Sequence, residues 1–263
     1  MKTTITTLLA ITCFLFMSAS NAHAGKPAKR EFYEIKVYRL STNEQVKKVD
    51  EFLQNAYLPA LHRAGFNKIG VFHPIGNDTM TDKKVYVFIP IGTLNKLSKL
   101  EDLLVKDPEL TKAADAYWNA AHNAAPYNRI ESIVLKAFEF MPSFEEPILT
   151  GNKTDRVYEL RSYEGATERL YRQKVHMFNQ GQEIALFKKL NFNAVFYSEV
   201  IAGCHMPNLM YMTSFNNIAD RNEHWKQFGD SPEWKKMSAL PEYQNTVSRN
   251  DTVLLNPAEF SEL

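Results

Sequence analysis

From Phe32 to Arg39 the side chains alternate, with Tyr33, Ile35 and Val37 on one face and Glu34, Lys36 and Tyr38 on the other. A period of two predicts a strand. The period then changes. Val46, Val49, Leu53, Ala56-Tyr57, Ala60-Leu61 and Ala64 recur at helical spacing, which predicts a helix over 41–64. Ser41 and Glu44 have capping-box spacing at its start, Gly65 is a stop signal, and Pro59 should kink or split it. Asn67 to His73 and Lys84 to Ile91 predict strands about the turn "NDTMTDK". A second helical region begins near Leu94 and restarts at Asp107-Pro108, an N-cap followed by proline at the first helical position. Ser132 to Phe140 predicts a closing strand.

The same order then recurs. "YEIKVY" at Tyr33 returns as "YELRSY" at Tyr158. "YLPALHRAGFNKIGVF" (Tyr57–Phe72) aligns with "EIALFKKLNFNAVFYS" (Glu183–Ser198), and "KDPEL" (Lys106–Leu110) with "DSPEW" (Asp230–Trp234). The second copy predicts a strand over 156–163, a helix over 166–190 broken near Gly181, and strands over 193–199 and 208–215. A helix from Ile218 restarted at Ser231-Pro232 and a strand over 251–256 complete it. Order and spacing conserved over several blocks mark a tandem duplication. Each copy reads β-α-β-β-α-β, the split βαβ unit of ferredoxin-like α+β folds. The copies span 31–141 and 156–260, with a proline- and glycine-bearing linker over 142–155. A four-stranded sheet covered by helices on one side leaves an apolar face that needs a partner. Two copies in one chain supply it, predicting that the sheets face one another as an intramolecular pseudo-dimer. Pairing between chains, giving a homo-oligomer, stays open.

Residues 1–24 read as a signal peptide: Lys2, the apolar run Leu8–Met17, and Ala22-His23-Ala24 as a cleavage site. The protein is therefore expected to be exported, periplasmic or secreted. Cys13 lies inside the apolar run, which leaves Cys204 as the single cysteine of the remainder and allows no internal disulfide. Cys204 reads as a small packed thiol rather than a nucleophile. The formal net charge of +1, with basic residues scattered, gives no nucleic-acid footprint and no basic membrane-surface helix. No later run is apolar enough to span a bilayer.

With both copies laid out, the second resembles the NIPSNAP family. The resemblance rests on Tyr158, Glu159, Leu160, Arg161 and Tyr163, then on Ala219, Arg221 and Trp225, then on Asp230, Pro232, Glu233 and Trp234 with Ser231 inserted. The first copy departs from it, with Lys36 for the arginine and Leu110 for the tryptophan. The resemblance implies ferredoxin-like domains that pair as a dimeric α/β barrel. Related barrels include cofactor-independent monooxygenases, but the family carries no settled activity to transfer.

No zinc-protease, phosphate-loop, dinucleotide or nucleophile-elbow motif is present, so neither a cofactor nor a metal is expected. The candidate ligand-binding residues are Arg161, Tyr163, His176, His205, Tyr211, Trp225 and Trp234. Arg161 on a sheet face either pairs with Glu159 or marks a polar pocket. The tryptophans are either core or the wall of a helix–sheet pocket. Arg221 reads as a helix-end pairing residue. The expected function is binding of a small hydrophobic or carbonyl-bearing ligand, or of a protein partner. The alternatives are a cofactor-independent small-molecule enzyme and a purely structural pairing module.

Overall fold

The computed structural model describes residues 28–203 and 205–263; the segment 1–24 read as a signal peptide, and Cys204, lie outside the described residues. The first copy contributes β1 (Phe32–Leu40), β2 (Gly70–Pro74), β3 (Lys83–Pro90) and β4 (Arg129–Ala137). The second contributes β5 (Val157–Glu164), β6 (Asn193–Ala202), β7 (Asn208–Phe215) and β8 (Arg249–Pro257). Within each copy the first strand lies between the third and fourth, and the second strand is at the edge, as a split βαβ unit requires. The eight strands form one closed antiparallel barrel in the order β1-β3-β2-β8-β5-β7-β6-β4.

The sheets do more than face each other. Their edges hydrogen-bond. One seam runs between β2 and β8, pairing Phe72 with Pro257 through Pro74 with Leu255. The other runs between β4 and β6, with an irregularity between Val134 and Leu135. Closure leaves none of these strands with a free edge to template aggregation. The inward faces of both copies fill the interior with one apolar cluster that includes Tyr33, Ile35, Phe88, Leu135, Tyr158, Leu160, Phe196 and Met212. Residues 258–263 fold back along β2: the Val71 amide donates to Ser261 Oγ (3.0 Å) and the Ile69 amide to Glu262 Oε2 (2.7 Å). The side chains of Leu263, Phe144 and Leu149 join the interior cluster, so segment 142–155 is packed on the barrel.

Helices cover the outside in two sets. The first copy has α1 (Asn43–Phe52), α2 (Leu58–Arg63), α3 (Leu94–Val105), α4 (Pro108–Ala113) and α5 (Asp115–Trp118). The second has α6 (Glu168–Phe178), α7 (Glu183–Lys189), α8 (Ile218–Asp230) and α9 (Pro232–Ser238). Both predicted restarts occur, with Asp107 and Ser231 accepting from the backbone amides of the following turn.

Four local details differ from the sequence reading. The N-cap of α1 is Thr42, whose Oγ1 accepts from the Gln45 amide, while Ser41 donates its own amide to Gln45 Oε1. The break in the long helix is a π-helical turn at Leu53–Tyr57, one turn ahead of Pro59. Such a turn suits a proline that has no N–H to continue the α pattern. β2 starts at Gly70 because Lys68 takes a left-handed conformation, φ 61°. β4 begins and ends three residues earlier than 132–140, since Phe138 turns back to bridge Met141.

Candidate functional site

Strand alternation puts Glu159, Arg161 and Tyr163 on the outer face of β5, under the helices of the second copy. The Asn217 side chain caps α8 and fixes its register, so Arg221 and Trp225, four apart, face the sheet together. They meet at Glu159, which is 0% exposed. Its carboxylate accepts from Arg161 Nε (2.6 Å), Arg221 Nε (2.7 Å), Arg221 Nη2 (3.0 Å) and Trp225 Nε1 (2.7 Å). Burial by itself would raise the Glu159 carboxyl. Hydrogen bonds from Arg221 and the charge of Arg161 outweigh that and hold it below the usual carboxylate range. The Arg161 guanidinium lies 3.8 Å from the Trp225 ring centroid and donates to the Tyr163 hydroxyl (3.0 Å), which in turn lies 2.9 Å from the Tyr211 hydroxyl. Burial pushes the Tyr211 phenol well above its ordinary value, so it stays neutral. Beside this network Lys174 and Glu183 form a buried ion pair (2.8 Å), with the Lys174 ammonium 5.6 Å from the Trp234 ring.

Five of the seven candidate residues therefore gather in one layer, and two do not. His176 is on the outside of α6, against the Tyr243 hydroxyl (2.9 Å). His205 is in the loop between β6 and β7, beside Glu164 (3.0 Å). Within the layer, the carboxylate, guanidinium, indole and Tyr163–Tyr211 hydroxyl groups are engaged with each other, the buried Tyr197 hydroxyl has no partner among the described residues, and Phe178, Phe187, Phe192 and Phe228 fill the space around them. The pairing of Arg161 with Glu159 is the arrangement found. Arg221 pairs as expected, but underneath the helix rather than at a free end. Among the described residues no group of three or more His, Cys, Asp or Glu could hold a metal ion.

Sequence reasoning missed a cleft at one mouth of the barrel, about 340 Å³ in volume. Its floor comes from both copies: Val37, Tyr86 and Ile133 from one, Leu160, Met210 and Val253 from the other. Its rim carries Arg39, paired with Asp82 (2.9 Å) and Glu131, and Arg249, paired with Asp251 (3.1 Å). His205 and Asn208 stand at the same rim. The rim charges thus largely neutralise each other. No single motif encodes this cleft, because its lining is drawn from six strands and a loop.

A family model described as NIPSNAP matches residues 158–262, from the opening tyrosine of β5 through the tail along β2. The second copy is a NIPSNAP domain. The matched segment holds the whole Glu159 network, so the arginine–indole clamp belongs to the NIPSNAP copy. No curated protein matches the sequence. Among solved structures, a candidate monooxygenase from Lactobacillus acidophilus NCFM is similar at a TM-score of 0.54 and 12% identity, covering 87% of this chain and 94% of that one. Another, from Fusobacterium nucleatum, has a TM-score of 0.58 and 5% identity over 87% of this chain and 93% of its own. An anthrone oxidase-like protein reaches 0.51 at 10% identity, covering 88% and 92%. At such identities the likeness is one of fold. It spans both copies, so the NIPSNAP domain and its divergent partner together make a dimeric α/β-barrel architecture within one chain.

Proposed function

We propose that this is an exported binding protein that holds a small hydrophobic or carbonyl-bearing molecule at the barrel mouth. One observation carries the reading: a cleft of about 340 Å³ whose apolar floor is shared between the two copies and whose rim offers Arg39, His205, Asn208 and Arg249 as donors. An apolar cavity with a few convergent polar groups is where small molecules are ordinarily held. The paired rim charges favour a ligand that is neutral overall. No helix among the described residues is long and apolar enough to cross a membrane.

Native mass spectrometry of the chain recovered from the exported fraction tests this. The expected result is a mass lacking residues 1–24 with a small molecule retained. Leu160→Trp, which fills the cleft floor, is expected to reduce retention at least tenfold while the fold survives by near-ultraviolet circular dichroism. Retention unchanged in Leu160→Trp would move the ligand elsewhere.

A second reading, a cofactor-independent enzyme in the same cleft, is favoured by one feature. His205 is about half exposed at the rim, with Nδ1 3.0 Å from Glu164 Oε1, an imidazole beside a carboxylate at the mouth of an apolar cleft. The monooxygenase and anthrone oxidase descriptions of the fold neighbours are in line with it. Under this reading His205→Gln abolishes turnover of a captured ligand and leaves its binding intact. Under the binding reading no turnover is seen in either protein.

A further inference from the structure

A trough of about 550 Å³ lies outside the barrel, between α7 and α9 of the second copy. Each helix turns one face to it. Gln182, Ala185, Leu186 and Lys189 come from α7 and its N-cap. Glu233, Lys236, Met237 and Leu240 come from α9 and the residues that follow it. Both sets have the i, i+3, i+4, i+7 spacing of a single helical face. Leu186 and Met237 are buried and make the floor, while the small, exposed Ala185 leaves space above it.

Both ends of the trough are bridged. Lys189, the last residue of α7, is ion-paired with Glu233 in the first turn of α9. At the other end the chain breaks between α6 and α7, where Gln182 is left-handed at φ 73° and Gly181 meets Tyr243. A Cβ on Gly181 would stand 2.7 Å from the Tyr243 hydroxyl, so glycine is what lets the 3-10 turn Pro241–Tyr243 close that end. The seven residues of α7, at about 1.5 Å each, make the trough about 10 Å long. Such a short, closed depression suits a small molecule rather than a helix running through it.

Its charge is one-sided. Lys189 and Glu233 neutralise each other, whereas the exposed Lys236 forms no ion pair among the described residues. The nearby Glu183 is buried and committed to Lys174. The first copy has a smaller counterpart. The repeat sets Arg63 against Lys189, Glu109 against Glu233 and Lys112 against Lys236. These residues line a cavity of about 370 Å³, in which Arg63 pairs with Glu109 (3.1 Å) and Lys112 again forms no ion pair among the described residues. The charge pattern is therefore built into the repeated unit. The apolar floor is not: Ala60 and Ala113 stand where the second copy has Leu186 and Met237, and a helical turn runs through Asn55, the position of Gly181.

We propose that the trough is a second binding site, separate from the barrel mouth, for a free single-chain amphiphilic anion, a medium-length alkyl carboxylate. Its chain lies over Leu186 and Met237 towards Leu240, and its carboxylate pairs with Lys236 at the rim. A cationic head would meet Lys236 with no free carboxylate in the trough to receive it.

Isothermal titration of the full chain with sodium decanoate and with decylammonium chloride tests the site. Decanoate is expected to bind at least about tenfold more tightly than decylammonium. Lys236→Glu reverses the charge at the rim and is expected to weaken decanoate at least about tenfold. Lys235→Glu makes the same change in net charge one position away, outside the trough, and is expected to leave decanoate within about twofold of wild type. Ala185→Trp fills the trough from an exposed position and is expected to abolish binding with the melting temperature held; if that variant unfolds, the two exposed lysine variants decide. Leu160→Trp at the barrel mouth is expected to leave decanoate affinity unchanged, so this site and the barrel-mouth reading fail separately. Decylammonium binding as tightly as decanoate, equal losses in Lys236→Glu and Lys235→Glu, wild-type affinity in a folded Ala185→Trp, or no decanoate binding would overturn the proposal. So would binding to vesicles of anionic phospholipid in place of free decanoate, which would make the trough a membrane contact. A loss confined to Leu160→Trp would also overturn it and place decanoate at the barrel mouth.

Discussion

Glu159→Ala is expected to destabilise the protein by about 3–5 kcal/mol, measured by urea unfolding. The loss follows from what remains. Arg161 and Arg221 stay in the helix-covered layer with no counter-charge, and the Trp225 N–H loses its acceptor. The net worth of the whole cluster is much smaller than this figure, since forming it takes three ions out of water. A triple variant, Glu159→Leu with Arg161→Leu and Arg221→Leu, should therefore recover most of the loss. The first copy already carries leucine at the position of Arg221. A cost below about 1 kcal/mol for Glu159→Ala would mean the arginines escape to solvent, and the clamp would not be structural. The pH dependence has a definite sign. The folded-state pKa of Glu159 lies below its unfolded value, so its contribution is complete above the unfolded carboxylate pKa and is lost as pH falls through the folded one. Acid unfolding of the wild type should accordingly be steeper than that of the triple variant.

Phe196→Ala is expected to cost about 3–5 kcal/mol and to unfold both copies in one transition. Phe196 belongs to the second copy, yet its ring stacks at 5.0 Å on Phe88 and lies 5.6 Å from Tyr33, both from the first. Truncation opens a cavity in the cluster that joins the copies, where close packing allows little relaxation. Fluorescence of Trp118 in one copy and of Trp225 and Trp234 in the other should report the same midpoint. Two separated midpoints would show that the copies fold as independent domains in spite of the shared barrel.

The seven candidate residues illustrate what could be read from the chain and what could not. Glu159, Arg161 and Tyr163 were placed on one face by alternation alone, because a strand's period is fixed by its backbone. That Arg221 and Trp225 complete the same cluster depends on how α8 crosses β5, which no local spacing encodes. His176 and His205 looked equivalent to Tyr211 in the sequence, yet one sits outside α6 and the other in a loop at the barrel rim. The barrel-mouth cleft was invisible for a similar reason: Tyr86 and Met210 become neighbours only when both sheets close. In the first copy Lys36 in place of the arginine marked a lost clamp on Glu34, with no hint that this carboxylate stays buried.

By itself the sequence determined the duplication, the β-α-β-β-α-β order of each copy, the helix restarts at Asp107-Pro108 and Ser231-Pro232, and the NIPSNAP character of the second copy. Those properties arise from contacts within a few residues or from direct repetition. Only the tertiary structure decided that the two sheets fuse through the β2–β8 and β4–β6 seams, which carboxylate is clamped, and where a cavity remains. Such outcomes hinge on which distant edges and side chains meet when the apolar faces leave water, and burial, being non-directional, leaves that choice to the packing of the whole barrel.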